Sequence, residues 1–274
     1  MSGTLYVVAT PIGNLEDMTY RAVRILQKVD LIAAEDTRHS RKLLNHYTID
    51  TALISYHEHN EKSRSPQLIA KLQAGQSIAL ISDAGTPCIA DPGYRLVSCC
   101  RQEGVPVVSV PGPSAIVAAL SISGLPTDAF RFIGFLPAKT HGRCQLFEQI
   151  KNEPQTIVCY EAPHRLIPSL NDIGEICGMD RTIAVARELT KRHEELFRGT
   201  VTEALAYFGQ SGVKGELVLL LSSAPPRQPE GTVRDALIRL HEEGNLSWKE
   251  IVKQVAKEFG VPGSDVYKES LELR

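Results

Sequence analysis

Short apolar runs alternate along the first half of the chain with segments whose apolar residues recur at helical spacing. Leu5-Tyr6-Val7-Val8-Ala9 reads as a buried strand, and residues 19–28 carry Ala22, Val23, Ile25 and Leu26 on one helical face. Asp30 to Ala34 reads as a second strand. Residues 61–74 form a helix with Leu68, Ile69 and Leu72 apolar and Gly75 as its stop. Ile78 to Ile81 is a third buried strand, residues 92–103 a helix ended by Gly104, and Val105 to Val110 a further strand. Pro111-Gly112-Pro113-Ser114 then opens a helix rich in Ala, Ile, Val and Leu. Strands alternating with helices in this way predict a parallel α/β sheet.

From Leu125-Pro126 onward the pattern predicts strands at 130–135, 156–160, 182–187, 195–199 and 216–221, with helices at about 141–151, 163–177 and 200–208. This is a mixed α/β or α+β arrangement. Proline, serine and charge replace the apolar pattern from Ser222 to Gly231, which reads as a mobile linker. Three short helical patterns follow, with turns at Glu243-Gly244-Asn245 and Gly260-Val261-Pro262-Gly263. Ser247 and Glu250 have capping-box spacing, and Ile251, Val252, Val255, Ala256 and Phe259 share a face. The expected organisation is an α/β domain over 1–118, a second over 119–224, and a helix-turn-helix-like module over 232–274. The alternative for the last pattern is a helical bundle used only for packing or dimerisation.

The chain has 274 residues and a hydrophobic fraction of 43%, ordinary for a globular protein. Its apolar runs are far too short to cross a bilayer, and its start lacks the pattern of a secretory signal, so a cytoplasmic protein is expected. The six cysteines form no C-x-x-C pair and mostly sit in apolar runs, which suits reduced, buried thiols rather than disulfides or zinc. The formal net charge of −2 gives no support to a nucleic-acid partner. Local basic clusters (Lys139, His141, Arg143, and Arg187, Lys191, Arg192, His193, Arg198) soften this, although solvated faces explain them as well.

Glycine-rich dinucleotide and phosphate loops are missing, as are zinc-protease and serine-hydrolase motifs. His57-Glu58-His59 falls between a strand and a helix, where loop and capping roles outweigh metal binding; no metal is expected. The informative segments are three strand-to-helix turns: Ala9-Thr10-Pro11-Ile12-Gly13-Asn14, Ser82-Asp83-Ala84-Gly85-Thr86-Pro87 with Ile89 to Gly93, and Pro111 to Ala115. All three would fall at the carboxyl edge of a parallel sheet, where ligands bind. Asp83 is placed to accept from a ribose hydroxyl or an amine, and Ser114 to cap a helix or donate to a ligand.

These turns, with Ala34-Glu35-Asp36-Thr37-Arg38, Gly134-Phe135-Leu136-Pro137, Tyr160-Glu161-Ala162-Pro163-His164-Arg165 and Ala186-Arg187-Glu188-Leu189-Thr190-Lys191, resemble the ribosomal RNA small subunit methyltransferase I family, a branch of the tetrapyrrole methylase superfamily. The likeness runs in order through Lys214-Gly215-Glu216 and into the helical tail. It implies two α/β domains with a cleft between them, S-adenosylmethionine as cofactor, and methylation of a cytidine ribose 2′-oxygen in the decoding region of 16S ribosomal RNA. A homodimer acting on the RNA or the small ribosomal subunit is implied as well. Expected cofactor contacts are Pro11, Gly13, Asp83, Gly85, Thr86, Ser114, Ala115 and Glu161, and expected RNA contacts are Lys139, Arg143, His164 and Arg165. Glu35, Arg38, Arg187 and Lys191 are the expected residues of the reaction centre. A ribose hydroxyl needs a proton acceptor, and Glu35, Asp36, Glu161, Glu188 and a neutral Lys191 all qualify by type, although structural ion pairs explain each singly. Methylation of a tetrapyrrole macrocycle and a non-catalytic nucleic-acid-binding regulator remain the alternatives.

Overall fold

The computed structural model describes residues 2–210, 212–224 and 231–273, so the proline-rich break at 225–230 lies outside the described residues. The chain divides into two compact units, Met1–Ser223 and Ala224–Arg274.

The first unit holds two sheets. Strands β1 (Leu5–Val8), β2 (Leu31–Ala34), β3 (Leu53–Ser55), β4 (Ile78–Ile81) and β5 (Val107–Val110) form one, in the order β3-β2-β4-β1-β5. Every pairing in it is parallel. Helices α1 (Tyr20–Lys28), α2 (Thr37–His46), α3 (Glu61–Gln73), α4 (Tyr94–Gln102) and α5 (Ala115–Ser123) connect or follow the strands. Side chains alternate across the sheet, as the period of two requires. Val8, Ile32, Ala34, Ala79 and Ile81 pack on one face with Ala22 and Leu26 of α1. Leu5, Ala33, Ile78 and Leu80 pack on the other with Leu68 and Leu72 of α3 and Leu96 of α4. Burial on both faces is why these strands read as continuous apolar runs.

The second sheet contains β6 (Phe130–Phe135), β7 (Thr156–Glu161), β8 (Thr182–Arg187), β9 (Glu195–Thr200) and β10 (Leu217–Leu221), ordered β6-β7-β10-β8-β9. Only β6 and β7 are parallel; β10 runs antiparallel to β7 and β8, and β8 to β9. Leu217, Leu219 and Leu221 of β10 face α6 (Thr140–Ile150), α7 (Leu166–Cys177) and α8 (Val201–Phe208) in one core. Val218 and Leu220 face the other way, joining Val158, Ala184 and Ala186 against Ile116, Ala119 and Leu120 of α5 and against Ile12. Helix α5 thus follows β5 of the first sheet in the chain but packs its apolar face on the second sheet and on Ile12. The helix is hydrophobic nearly all round, yet Val117 and Ile122 stay exposed and only Ile116, Ala119, Leu120 and Ser123 are buried.

The second unit has its own small core. Ala236, Leu237 and Leu240 of α9 (Val233–Glu242) meet Ile251, Val252 and Val255 of α10 (Trp248–Phe259) and Val266 of α11 (Gly263–Leu271). Capping boxes start α9 (Thr232 with Asp235) and α10 (Ser247 with Glu250), as the spacing of the latter predicts.

Candidate active site

The three turns singled out in the sequence meet at the carboxyl edge of the parallel sheet and are tied to one another. Thr10, fully buried, exchanges two backbone hydrogen bonds with Gly85 (2.9 and 3.0 Å), and its hydroxyl donates to the Ser82 carbonyl at 3.2 Å. The Thr86 hydroxyl donates to the Pro113 carbonyl at 3.2 Å, linking the second turn to the third. Gly85 sits at φ +79°, a left-handed conformation that a β-branched residue would hold only under strain.

Beneath these turns lies a cavity of about 420 Å³. Ile12, Asp83, Gly85, Thr86, Ser114 and Ala115 line it from the first sheet's side, and Phe135, Tyr160, Glu161, Ala186, Leu189 and Glu216 from the second's. Its size falls in the range typical of small-molecule sites. Backbone strain flanks it on both sides. Cys88 (φ 72°), Ala90 (φ 63°) and Gly93 (φ 142°) crowd one short loop, and Glu188 (φ 51°) and Thr190 (φ 66°) bracket Leu189 in another. Left-handed non-glycine residues of this kind gather at functional sites.

Three carboxylates share the polar end. Asp83 Oδ1 accepts the Asp36 N–H at 3.0 Å, and Glu35 Oε2 accepts the Asp83 N–H at 3.4 Å. Burial, with the Asp83 charge adding to it, raises the Glu35 carboxyl above its ordinary range. Burial followed by repulsion from Glu35 lifts Asp91 to about 6, against the opposing pull of the nearby Ser82 side chain. Across the cavity, burial and then the Asp91 charge raise the Tyr160 phenol to about 12.

Of the expected site residues, Asp83, Gly85, Thr86, Ser114, Ala115, Glu161 and Glu35 line the cavity. Pro11 and Gly13 do not; Gly13 instead packs against the Lys191 stem, so closely that a Cβ there would lie 2.5 Å from Lys191 Cγ. Glu161 lines the wall, but its carboxylate is committed. It accepts from Ser169 and from the Ala162 N–H at 2.7 Å, and pairs with Arg165 at 2.8 Å. Arg165 is thereby a partner of the cavity wall. Arg187 pairs with Glu195 at 2.7 Å. Asp36 caps α2 and pairs with the exposed Arg38, and that hydrogen bonding lowers its carboxyl to about 2; neither lines the cavity.

Two expectations need correction. Lys191 is not a neutral proton acceptor. Its ammonium bonds Glu188 and Glu216, each at 2.9 Å; burial pulls its pKa down, but those two bonds outweigh burial and hold it protonated. Arg143 is not an RNA contact. It is 2% exposed, and its Nε donates to Asp172 at 2.6 Å between α6 and α7. Arg143→Ala would strand the Asp172 carboxylate, so a loss of about 3 kcal/mol is expected in urea unfolding, with RNA affinity of the folded fraction unchanged. Lys139 and His164 are exposed. Asp91 and Tyr160 are the residues that sequence reasoning passed over, although Asp91 stands in the same Ile89 to Gly93 segment that drew attention to the turn.

Residues 4–205 match the family model for tetrapyrrole (corrin/porphyrin) methylases. The chain is also 51% identical to the ribosomal RNA small subunit methyltransferase I of Synechocystis sp., over 99% of this chain and 98% of that one. The chain belongs to the tetrapyrrole methylase family, in its ribosomal RNA small subunit methyltransferase I branch. The Escherichia coli O157:H7 protein of that same description is 48% identical over 98% of this methylase and 95% of its own length. The fold extends further than the sequence likeness. The uroporphyrin-III C-methyltransferase from Thermus thermophilus, solved with S-adenosyl homocysteine, superposes with a TM-score of 0.56 at 18% identity, covering 81% of this methylase and 98% of that chain. Among the described residues, no helix is long and apolar enough to cross a membrane.

Proposed function

We propose that this methylase transfers a methyl group from S-adenosylmethionine to the ribose 2′-oxygen of a cytidine in the decoding region of 16S ribosomal RNA. The observation that carries the reading is the cavity at the carboxyl edge of the parallel sheet, built by the family's own turns in a chain 51% identical to a ribosomal RNA small subunit methyltransferase I. The reading includes action in the cytoplasm, as a homodimer, on the RNA or the assembled small subunit. It also treats the two sheets as the two halves of the catalytic body, divided near residue 118, and the tail as an RNA-engaging module.

The residues present fit such a cofactor. Ile12, Ile116, Leu189 and Phe135 offer apolar walls for an adenine and the carbon chain beside the sulfonium, while Asp83 and Glu35 suit ribose hydroxyls and cationic groups. When bound, the cofactor supplies an already activated methyl group. The chain's task is then alignment, which contributes roughly 7–11 kcal/mol in favourable systems. Gly85 and Ala115 keep the cavity open to a flat ring, and the Thr10–Gly85 and Thr86–Pro113 bonds hold its rim fixed.

The deciding experiment compares ribosomal RNA with and without the methylase by nucleoside mass spectrometry, beside calorimetry of cofactor binding. One cofactor per chain and a new 2′-O-methylcytidine are expected, and Asp83→Ala should weaken cofactor binding about tenfold. Methyl transfer to a porphyrinoid macrocycle and none to RNA would overturn the reading.

A further inference from the structure

A second cavity of about 610 Å³ opens beside the first. Glu35 and Asp91 line both, so these two carboxylates stand where the cavities adjoin. The second is polar and is shaped by the strained Ala90–Gly93 loop and the start of α4, with Tyr94, Ser98 and Gln102 on its wall. Tyr94 is 78% exposed, an aromatic ring left in solvent at the edge of a polar pocket.

Resting on the methyl-transfer reading, we propose that this second cavity receives the acceptor nucleoside, its base stacked on Tyr94 and its ribose hydroxyl against the Asp91 carboxylate. The charge of the walls sets which part of a nucleotide enters. Glu35, Glu58, Glu61 and Asp91 face the space, and its arginine, Arg95, is paired with Glu61 at 3.1 Å. Phosphates are repelled there and stay outside. A base with an exocyclic amino group is favoured, since carboxylates and the Gln102 amide oxygen accept from N–H. A base reaching such a pocket must come from single-stranded or flipped-out RNA, and aromatic stacking is the usual way to hold one.

Glu35 and Asp91 are the carboxylates that line both cavities, and Asp91, three residues before Tyr94, is assigned the proton. Glu161 is bound by Arg165 and Ser169, Glu188 by Lys191, Asp36 by Arg38, and Asp83 by the Asp36 N–H. Glu35 accepts the Asp83 N–H. The Ser82 side chain lies close to Asp91, its hydroxyl donating to the Ala84 carbonyl at 3.4 Å. Glu35, Asp83, Cys88 and Tyr160 are the titratable groups acting on Asp91, and Glu58, Glu61 and Arg95 share its second cavity. Its pKa of about 6 leaves it ionised at neutral pH yet basic enough to take a proton as the bond forms. In the step, the 2′-oxygen bonds to the methyl carbon and the carbon–sulfur bond breaks with its electron pair left on sulfur. The hydroxyl proton passes to Asp91 and then to water.

The test uses the full chain with a fluorescein-labelled single-stranded RNA oligonucleotide containing one cytidine, read by anisotropy at fixed salt. Cofactor binding is read by calorimetry and transfer to ribosomal RNA by single turnover. Tyr94→Ala should weaken RNA binding about tenfold, Tyr94→Phe should restore it, and cofactor affinity should hold in both. Asp91→Asn should keep both affinities and slow the single-turnover rate about a hundredfold or more, losing the limb that rises through about pH 6 in the unaltered chain. Unchanged RNA affinity in Tyr94→Ala, with transfer by the unaltered chain intact, overturns the pocket and leaves the methylation reading standing. Loss of RNA affinity in that variant, with no transfer by the unaltered chain, overturns the methylation reading and keeps the pocket. An Asp91→Asn chain that keeps its rate, or that loses cofactor binding, removes Asp91 from the proposed role.

Discussion

Asp91→Asn is expected to stabilise the folded chain at about pH 8 by up to about 3 kcal/mol, although the same change is expected to slow methyl transfer. The stability figure follows from the carboxyl's pKa, which rises from the ordinary 3.8 to about 6; at 1.36 kcal/mol per pH unit that is at most about 3 kcal/mol, and solvent screening of a half-buried group reduces it. The sign follows from proton binding. Between those two values the folded chain still holds a proton that the unfolded chain has released, so folded stability falls as pH rises through that window. Above about 6 the loss is complete and constant. An asparagine has no charge to desolvate and escapes the loss. The difference between variant and unaltered chain should therefore be near zero at about pH 4 and full at about pH 8, measured by urea midpoints across pH. Glu35, whose carboxyl is raised by burial and by Asp83, acts in the same direction. Glu35→Gln combined with Asp91→Asn should gain less than the two singles together, because each carboxylate is part of the other's penalty. A difference independent of pH would show that Asp91 is solvated and carries no such penalty. A carboxylate kept where it destabilises the fold is what a proton-accepting role in a partly dry pocket requires.

Why Asp91 escaped a reading of the sequence is instructive. Its segment, Cys88 to Gly93, reads as a rigid, glycine- and proline-rich turn, and nothing along the chain says which side chain of such a turn points inward. Left-handed φ values at Cys88 and Ala90 decide that, and they are backbone facts, not compositional ones. Tyr160 was hidden differently. It lies one residue before the end of β7, where period-two alternation assigns a face but not what that face looks onto. Only the packing of the second sheet across α5 turns it toward the cavity.

β1, β2, β4 and β10 were legible because they are buried on both faces, which forces continuous apolar runs, whereas the short, half-buried β3 was not. β10, buried at all five positions, is the plainest case. Helix α2 was not legible. It buries only Ser40 and Leu44, so its apolar stripe is too thin to announce a helix, and Asp36 marks its start through a capping bond that Asn, Ser or Thr would also supply. The basic cluster at 139–143 misled for the opposite reason. Lys139 and Arg143 are neighbours in sequence, yet one is exposed and the other is buried against Asp172, twenty-nine positions along the chain. A run of charge reports sequence proximity, and burial is settled by partners that sequence proximity does not reveal.

A chain ending after Ala224 is expected to bind S-adenosylmethionine within about twofold of the full chain but to methylate ribosomal RNA about a hundredfold less at limiting RNA. All residues lining the two cavities lie within Met1–Ser223, with the four cores that surround them, so the cofactor site has no part to lose. What truncation removes is a separately cored module with an unspent cationic face. Lys249, Lys253 and Lys257 recur every fourth residue along α10, exposed, and none is in an ion pair among the described residues. By contrast, Arg234, Arg239 and Lys268 are paired with Glu272, Glu258 and Asp265. In a chain whose net charge is −2, a ladder of free lysines is where a phosphate backbone finds attraction, while the acidic second cavity admits only a base and its sugar. Each phosphate contact on single-stranded RNA contributes about 0.7 to the slope of log affinity against log salt. Changing all three lysines to glutamine should therefore flatten that slope by about 2 and reproduce most of the loss seen on truncation. Methylation untouched by removal of the tail would assign the module to another partner and leave docking of RNA to exposed groups of the first unit, Lys139 and His164 among them.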